Sequence, residues 1–215
     1  ETLYKKSIYK FLAEKPEIGS SFNQGVQSWT STLAAAVLEI YNFSNAQTIV
    51  DVGGGMGGLL SSILQAYPNL QGILFDQPHI LDQAQDYITS QGAASRCKLV
   101  GGNFLNAVPE GGNLYLISYV FTDWSNEDCI RILKNCAQAM ASDGKILILE
   151  PFLGSRNEQT LGKAIDMIML LETGGRIRDE QEWRMIVQDA GFTTTNIIPT
   201  GDLSIYAIEA VRQSC

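Results

Sequence analysis

Two acids and a run of glycines carry the chemistry this sequence can do. The stretch Thr48-Ile49-Val50-Asp51-Val52-Gly53-Gly54-Gly55-Met56-Gly57-Gly58 opens as an apolar, β-branched run, the composition of a buried strand. It turns through its glycines into an apolar-periodic segment, Leu59 to Tyr67, that reads as a helix. Strand, glycine turn and helix together bring bare backbone N–H groups and a helix N-terminus up to a ligand. About one strand-length later Gly72-Ile73-Leu74-Phe75 ends on Asp76. A carboxylate at that strand tip accepts hydrogen bonds from the ribose hydroxyls of a nucleoside.

Gly53, Gly55 and Gly58 satisfy the dinucleotide pattern G-x-G-x-x-G, and Asp51, Gly53, Gly55 and Gly57 also satisfy D-x-G-x-G-x-G. Asp51 separates the two readings. An acid inside a buried strand is costly unless it is paired. It would repel a pyrophosphate and pair with the ammonium of an amino-acid group. S-adenosylmethionine carries that ammonium, together with an adenosine for Asp76. The alternatives are a dinucleotide, or a glycine turn that only tightens strand–helix packing.

These residues need an open α/β sheet to bring them together. Strands are read at 47–52, 71–75, 97–101, 114–120 and 145–150, and helices at 57–67, 79–90, 126–141, 158–171 and 179–190. Ser125-x-x-Asp128 opens the 126–141 helix with nearly a capping box. The chain ends in two strands, 192–199 and 203–210, joined at Thr200-Gly201-Asp202. The expected fold is α/β: a Rossmann-like, doubly wound, mostly parallel seven-stranded sheet with a C-terminal antiparallel hairpin. Two amphipathic helices, 2–14 and about 21–41, precede it.

Ligands of such sheets sit beyond the carboxyl ends of the strands, where strand order reverses. The candidate residues are therefore Asp51 to Gly57, Asp76-Gln77, Asn103-Phe104, Ser118, Thr122-Asp123-Trp124 and Glu150. Phe104 and Trp124 can pack adenine or be plain core; Asn103 can cap a turn or read the adenine edge. His79, after Pro78, is read as a helix-start residue. Met167, Met169 and Leu170 at helical spacing are most simply core, with Met167 also placed to line a substrate pocket.

Composition narrows the partners. The 215 residues suffice for one large α/β domain; 45% are hydrophobic and 18% charged, which is globular. A net charge of −8 without a basic cluster argues against nucleic acid, and no apolar run reaches the ~20 residues of a membrane span. A small molecule is the default partner. The one histidine and the scattered Cys97, Cys129, Cys136 and Cys215 argue against a metal site. Cys129 and Cys136 share a helix face at about 10 Å, beyond disulfide reach. The cysteines are read as reduced, buried thiols of a cytoplasmic protein.

Six stretches together resemble a known family. They are Val50 to Gly58, Phe75-Asp76-Gln77-Pro78-His79, Gly102-Asn103-Phe104, Asp123-Trp124-Ser125-Asn126-Glu127-Asp128, Gly174-Gly175-x-x-Arg178, and Trp183 to Phe192. From about Phe22 to Ala210 the chain is similar to the class I, S-adenosylmethionine-dependent small-molecule O-methyltransferases of the plant caffeic-acid and bacterial polyketide type. The resemblance implies S-adenosylmethionine as methyl donor, S-adenosylhomocysteine as product, no metal, and a natural-product acceptor. It divides the chain into 1–42, a helical linker or remnant of a dimerisation or substrate-cap region, and 43–215, the cofactor-binding domain. A homodimer or a larger synthase is the implied context, through a missing N-terminal region. Phe22-Asn23-Gln24 resembles the helix that reaches into the acceptor pocket, which Val26, Trp29, Asp166 and Met167 would line.

The carried-over roles are uneven. Asp51 and the glycines match the methionine end, Asp76 the ribose acid, and Trp124 the adenine-side aromatic. Asn103 stands where the family has Asp. The family's histidine base, immediately before Asp-Trp, is Thr122 here, and the second acid of the Gly-Gly stretch is Ile177; only the acid after strand five remains, as Glu150. Thr122, Asp123 and Glu150 are the candidate catalytic positions. Three readings stay open: methyl transfer to a hydroxyl or activated carbon, a repurposed S-adenosylmethionine-binding protein that performs another reaction, and a non-catalytic module.

Overall fold

A computed structural model describes residues 11, 14–172, 174–201 and 204–213. The helix expected at 2–14 and the reading of Cys215 fall largely outside that range. Helix α1, Pro16–Ile40, opens on a proline at its first position, where the missing N–H is harmless, and leads to Trp29. Then come β1 (Thr48–Val52), α2 (Gly58–Ala66), β2 (Gln71–Asp76), α3 (Pro78–Ser90), β3 (Cys97–Gly101) and β4 (Leu114–Ser118). They are followed by α4 (Asn126–Ala139), β5 (Lys145–Pro151), α5 (Leu161–Glu172), α6 (Glu180–Asp189), β6 (Phe192–Pro199) and β7 (Ile205–Arg212).

The seven strands form one sheet in the order β3-β2-β1-β4-β5-β7-β6. The first five pair in parallel and β7 runs antiparallel to β5 and β6, the architecture expected from the alternation. The order reverses between β1 and β4, which places the ligand crevice at their carboxyl ends.

Two apolar layers sandwich the sheet, as the period-two alternation of its strands requires. Ile49, Leu74, Leu116 and Leu147 face α1, α2 and α3; Val50, Val52, Ile117 and Ile148 face α4 and α6. The end of α1 is pinned to the sheet by Tyr41, whose hydroxyl donates to Glu209 Oε2 at 2.6 Å; Lys145 Nζ and Thr195 Oγ1 also bond that carboxylate, at 3.2 and 2.9 Å. Cys129 and Cys136 are buried free thiols, but Cys97 is only half-buried.

Strand β4 stops two residues short of the expected end. Tyr119 takes a positive φ of 54°, a conformation L-residues avoid without support, and a short 3₁₀ turn follows at Phe121–Asp123. Ser125 caps α4 by accepting from Asp128 N at 3.1 Å, and Asp179 and Glu182 form a full capping box on α6. Helix α5 corrects a reading of the sequence. Met167 and Leu170, expected as core, are 67% and 65% exposed, and Leu171 is 77% exposed. Helical spacing marks an apolar face without naming the element that covers it.

Candidate active site

The glycine turn is shaped by close approaches. At Gly54 a Cβ would lie 2.4 Å from both Asp51 Oδ2 and Leu74 Cδ1. Gly57 caps α2 with φ +78°, a left-handed conformation that favours glycine. Gly53 N donates to Phe75 O at 2.8 Å, tying the turn to the tip of β2. Both expected acids converge there. Asp76 Oδ2 accepts from Gly55 N at 2.9 Å, and its Oδ1 accepts from Gln77 N at 2.6 Å. Gln77, exposed, is the N-cap residue of α3, and exposed His79 lies in that helix's first turn, the helix-start position expected for it.

Asp51 is 2% exposed, and its Oδ2 has no hydrogen-bond partner among the described residues. Burial, and secondarily the charge of Asp76, pushes its carboxyl up to about 7. A buried acceptor without a partner is costly. Here it lies beneath a turn whose Gly54 leaves no room for a side chain, so the orphaned oxygen and the bare backbone suit a cationic group on the ligand.

An aromatic wall stands beside Gly53. A Cβ on Gly53 would sit 2.7 Å from Val120 Cγ2 and 3.5 Å from the Phe104 ring. Phe104 meets Trp124 edge-on, centroids 5.4 Å apart at 84°, and Asn135 Nδ2 holds Phe104 O at 2.7 Å. Both rings are half-buried and packed against the core below them. Asn103 is exposed; its Oδ1 accepts from Leu105 N at 2.9 Å, closing its own turn, which leaves the amide nitrogen. Ser118, half-buried, ends β4.

The residues expected on the acceptor side lie on several elements, with Thr122 and Asp123 on the 121–124 turn. Thr122 is 4% exposed, and its carbonyl accepts from Arg176 N at 2.9 Å. Asp123 is exposed. Glu150 is wholly buried; its Oε1 accepts from Phe121 N at 2.8 Å while Oε2 is unpartnered among the described residues. Burial pushes its carboxyl up to about 8, against the opposing pull of the Phe121 N–H and the Arg178 charge. Asp166, half-buried on α5, accepts from Ile177 N at 2.7 Å, so it holds the stretch in which the second acid is missing. Trp29 meets Tyr119 edge-on at 5.9 Å. Val26 lies on α1.

Two residues have placements that the sequence does not reveal. Tyr119 falls inside a strand by its sequence pattern, yet its left-handed backbone ends that strand, and its hydroxyl is buried. Arg178, which the sequence marks only as the end of the Gly174-Gly175-x-x-Arg178 stretch, is 1% exposed and bonds the carbonyls of Phe121 and Trp124.

Comparison with known proteins bears on this geometry. Residues 1–193 match the family described as the O-methyltransferase domain. The chain is 38% identical over 204 residues to the phenazine O-methyltransferase PhzM of Lysobacter antibioticus, covering 93% of this chain and 60% of that protein. It is 33% identical over 195 residues to a caffeic acid 3-O-methyltransferase of Catharanthus roseus, covering 88% of this chain and 52% of that protein. Among solved structures, LaPhzM superposes with a TM-score of 0.90 at 36% identity, over 99% of this chain and 64% of that one. NcsB1, an O-methyltransferase from neocarzinostatin biosynthesis solved with S-adenosylmethionine and 2-hydroxy-5-methyl naphthoic acid, gives 0.83 at 28% identity, over 99% of this chain and 63% of that one. The chain thus spans between 52% and 64% of the length of these relatives.

Proposed function

We propose, from the premise that this chain belongs to the O-methyltransferase domain family, that it binds S-adenosylmethionine and directs methyl transfer to a hydroxyl of a small aromatic natural product. The observation that carries the reading is the orphaned Oδ2 of Asp51 beneath the bare Gly53–Gly57 turn. The cofactor, when bound, supplies an activated methyl on a sulfonium sulfur. Asp51 would accept from its ammonium and Asp76 from the ribose hydroxyls, and Phe104 and Trp124 would hold the adenine. Charge-assisted hydrogen bonds of this kind make the buried carboxylate favourable where it is otherwise a liability. The aromatic acceptor class is supported by the relatives, whose names speak of phenazine, caffeic acid and a naphthoic acid.

The acceptor end works without an imidazole. Thr122 cannot take a proton near neutral pH, and Glu150 serves the 121–124 turn through Phe121 N–H. Burial pushes its carboxyl up to about 8, and one of its oxygens is committed to that N–H rather than to an acceptor. Alignment of acceptor oxygen and methyl can supply up to ~7–11 kcal/mol of barrier reduction. A positioned base typically adds ~10²–10⁴-fold, and that share is surrendered here. The reading therefore favours an acceptor whose hydroxyl is acidic in its own right.

Calorimetry with S-adenosylhomocysteine tests the cofactor assignment. Asp51→Asn and Asp76→Ala should each weaken binding by about tenfold or more, the worth of one charge-assisted hydrogen bond. Unchanged affinity in both variants overturns the assignment, and tight NADH binding would favour the dinucleotide reading. Release of S-adenosylhomocysteine with a panel of phenols, rising with phenol acidity, tests the transfer itself. Cofactor binding without release on any acceptor would support the repurposed or non-catalytic reading.

A further inference from the structure

Arg178 is a fully buried cation whose hydrogen bonds all go to one short segment. Its Nη1 donates to Phe121 O at 2.8 Å, Nη2 to Trp124 O at 2.7 Å, and Nε to Asn126 Oδ1 at 2.8 Å. The guanidinium lies over the Trp183 ring, 5.3 Å from its centroid. Burying a guanidinium is costly unless its donors are satisfied in good geometry. Here each of its three nitrogens has an acceptor, and those bonds are spent on the segment that carries Thr122, Asp123 and Trp124.

The backbone of Arg178 is itself anchored. It bridges Phe152 in parallel, just beyond β5, and its carbonyl accepts from Leu153 N at 3.1 Å. Glu150, on β5, holds the N–H of Phe121, whose C=O is held by Arg178. One peptide residue is thus gripped by two buried groups of opposite character. A planar guanidinium that binds two carbonyls three residues apart also fixes the distance between them, which a lysine ammonium cannot do.

We infer that Arg178 is a positioning residue: its guanidinium sets the pitch of the 121–124 turn, and with it the stance of Trp124 against Phe104 at the nucleoside end of the site. The inference rests on the reading of Trp124 and Phe104 as the adenine wall. Arg178 acts through the turn, since each of its three side-chain nitrogens is bonded to the 121–126 segment. Its loss should be felt by any ligand that carries the adenosine, whatever else that ligand carries.

The test is calorimetry well below the unfolding temperature, with two probes: S-adenosylhomocysteine, and 5′-methylthioadenosine, which lacks the amino-acid end. Folding of each variant is checked by circular dichroism. Arg178→Lys keeps the charge and loses the fork; it should weaken both probes by the same factor, about tenfold. Asn126→Ala removes only the partner of Nε and should weaken both by about two- to threefold. Asp51→Asn is the contrast: it should weaken S-adenosylhomocysteine and leave 5′-methylthioadenosine unchanged. A role confined to stability would lower the unfolding temperature and leave both affinities of the folded protein intact. A folded Arg178→Lys that binds both probes with wild-type affinity overturns the inference. Should that variant fail to fold, Asn126→Ala with wild-type affinities for both probes overturns it equally. A wild-type protein that binds neither probe overturns the cofactor reading beneath it.

Discussion

Replacing Asp51 by Asn should stabilise the ligand-free protein in mild alkali and do little, or slightly harm it, in mild acid. The carboxyl is 2% exposed, and its value is raised from 3.8 to about 7, chiefly by burial. Because the folded value lies above the unfolded one, the folded chain holds this proton more tightly. Below about pH 4 both states are protonated and Asp51 costs nothing; as pH rises through the window the unfolded state ionises first and stability falls; above about pH 7 the loss is complete. The gap between the two values is worth about 4 kcal/mol. Asn escapes that loss but places amide hydrogens where no acceptor waits, at a cost of about 1–3 kcal/mol. The net expectation is a gain of about 1–3 kcal/mol near pH 8 and roughly none near pH 5. In a chain of this length each kcal/mol moves the midpoint by about 2–4 °C, so the difference between variant and wild type should change by roughly 5–10 °C across that range. Glu150, raised to about 8, titrates in the same direction, but it is present in both proteins and cancels in the difference. Calorimetric melts of both proteins in matched buffers read it directly. The same linkage makes S-adenosylhomocysteine binding by wild type fall about tenfold per pH unit below neutrality, while the Asn variant stays flat. A melting difference that does not change between about pH 5 and 8 would refute the raised value and the reasoning built on it.

Gly54→Ala should be destabilising by about 1–3 kcal/mol in denaturant unfolding, because its Cβ would meet Asp51 Oδ2 and Leu74 Cδ1 at 2.4 Å, and it should abolish S-adenosylhomocysteine binding; an unfolding midpoint and affinity like wild type would show that the turn has room to spare. Ile177→Glu alone buries an unpaired carboxylate at a site 3% exposed and should cost about 3–5 kcal/mol. Combined with Thr122→His it should recover part of that stability and raise the rate on a phenol between about pH 6 and 8 above either single change, since imidazole titrates there. Strictly additive stabilities and rates would mean that the two side chains do not meet.

Near-neighbour patterns in the chain were sufficient for much of this architecture. The β-branched run into Asp51, the glycines after it and the run that ends on Asp76 announced strand, turn and second strand, because each is a matter of residues a few positions apart. The alternation of strands and helices likewise determined a mostly parallel sheet with an antiparallel end. What the pattern could not contain was the identity of contacts between distant segments. Tyr119 ends β4 through a left-handed backbone that no propensity marks. Met167 and Leu170 read as core by spacing but are exposed. Glu150, legible as a strand-end acid, spends one oxygen on Phe121 N–H and is closed off from solvent. Arg178 closes a recognisable stretch of sequence, but its partners are set only when the fold carries it 57 positions back along the chain to Phe121. Periodicity records which face of an element is apolar. The burial of a charge, its partner and its shifted proton affinity depend on which elements come to lie against it, and that is settled only when the whole chain packs.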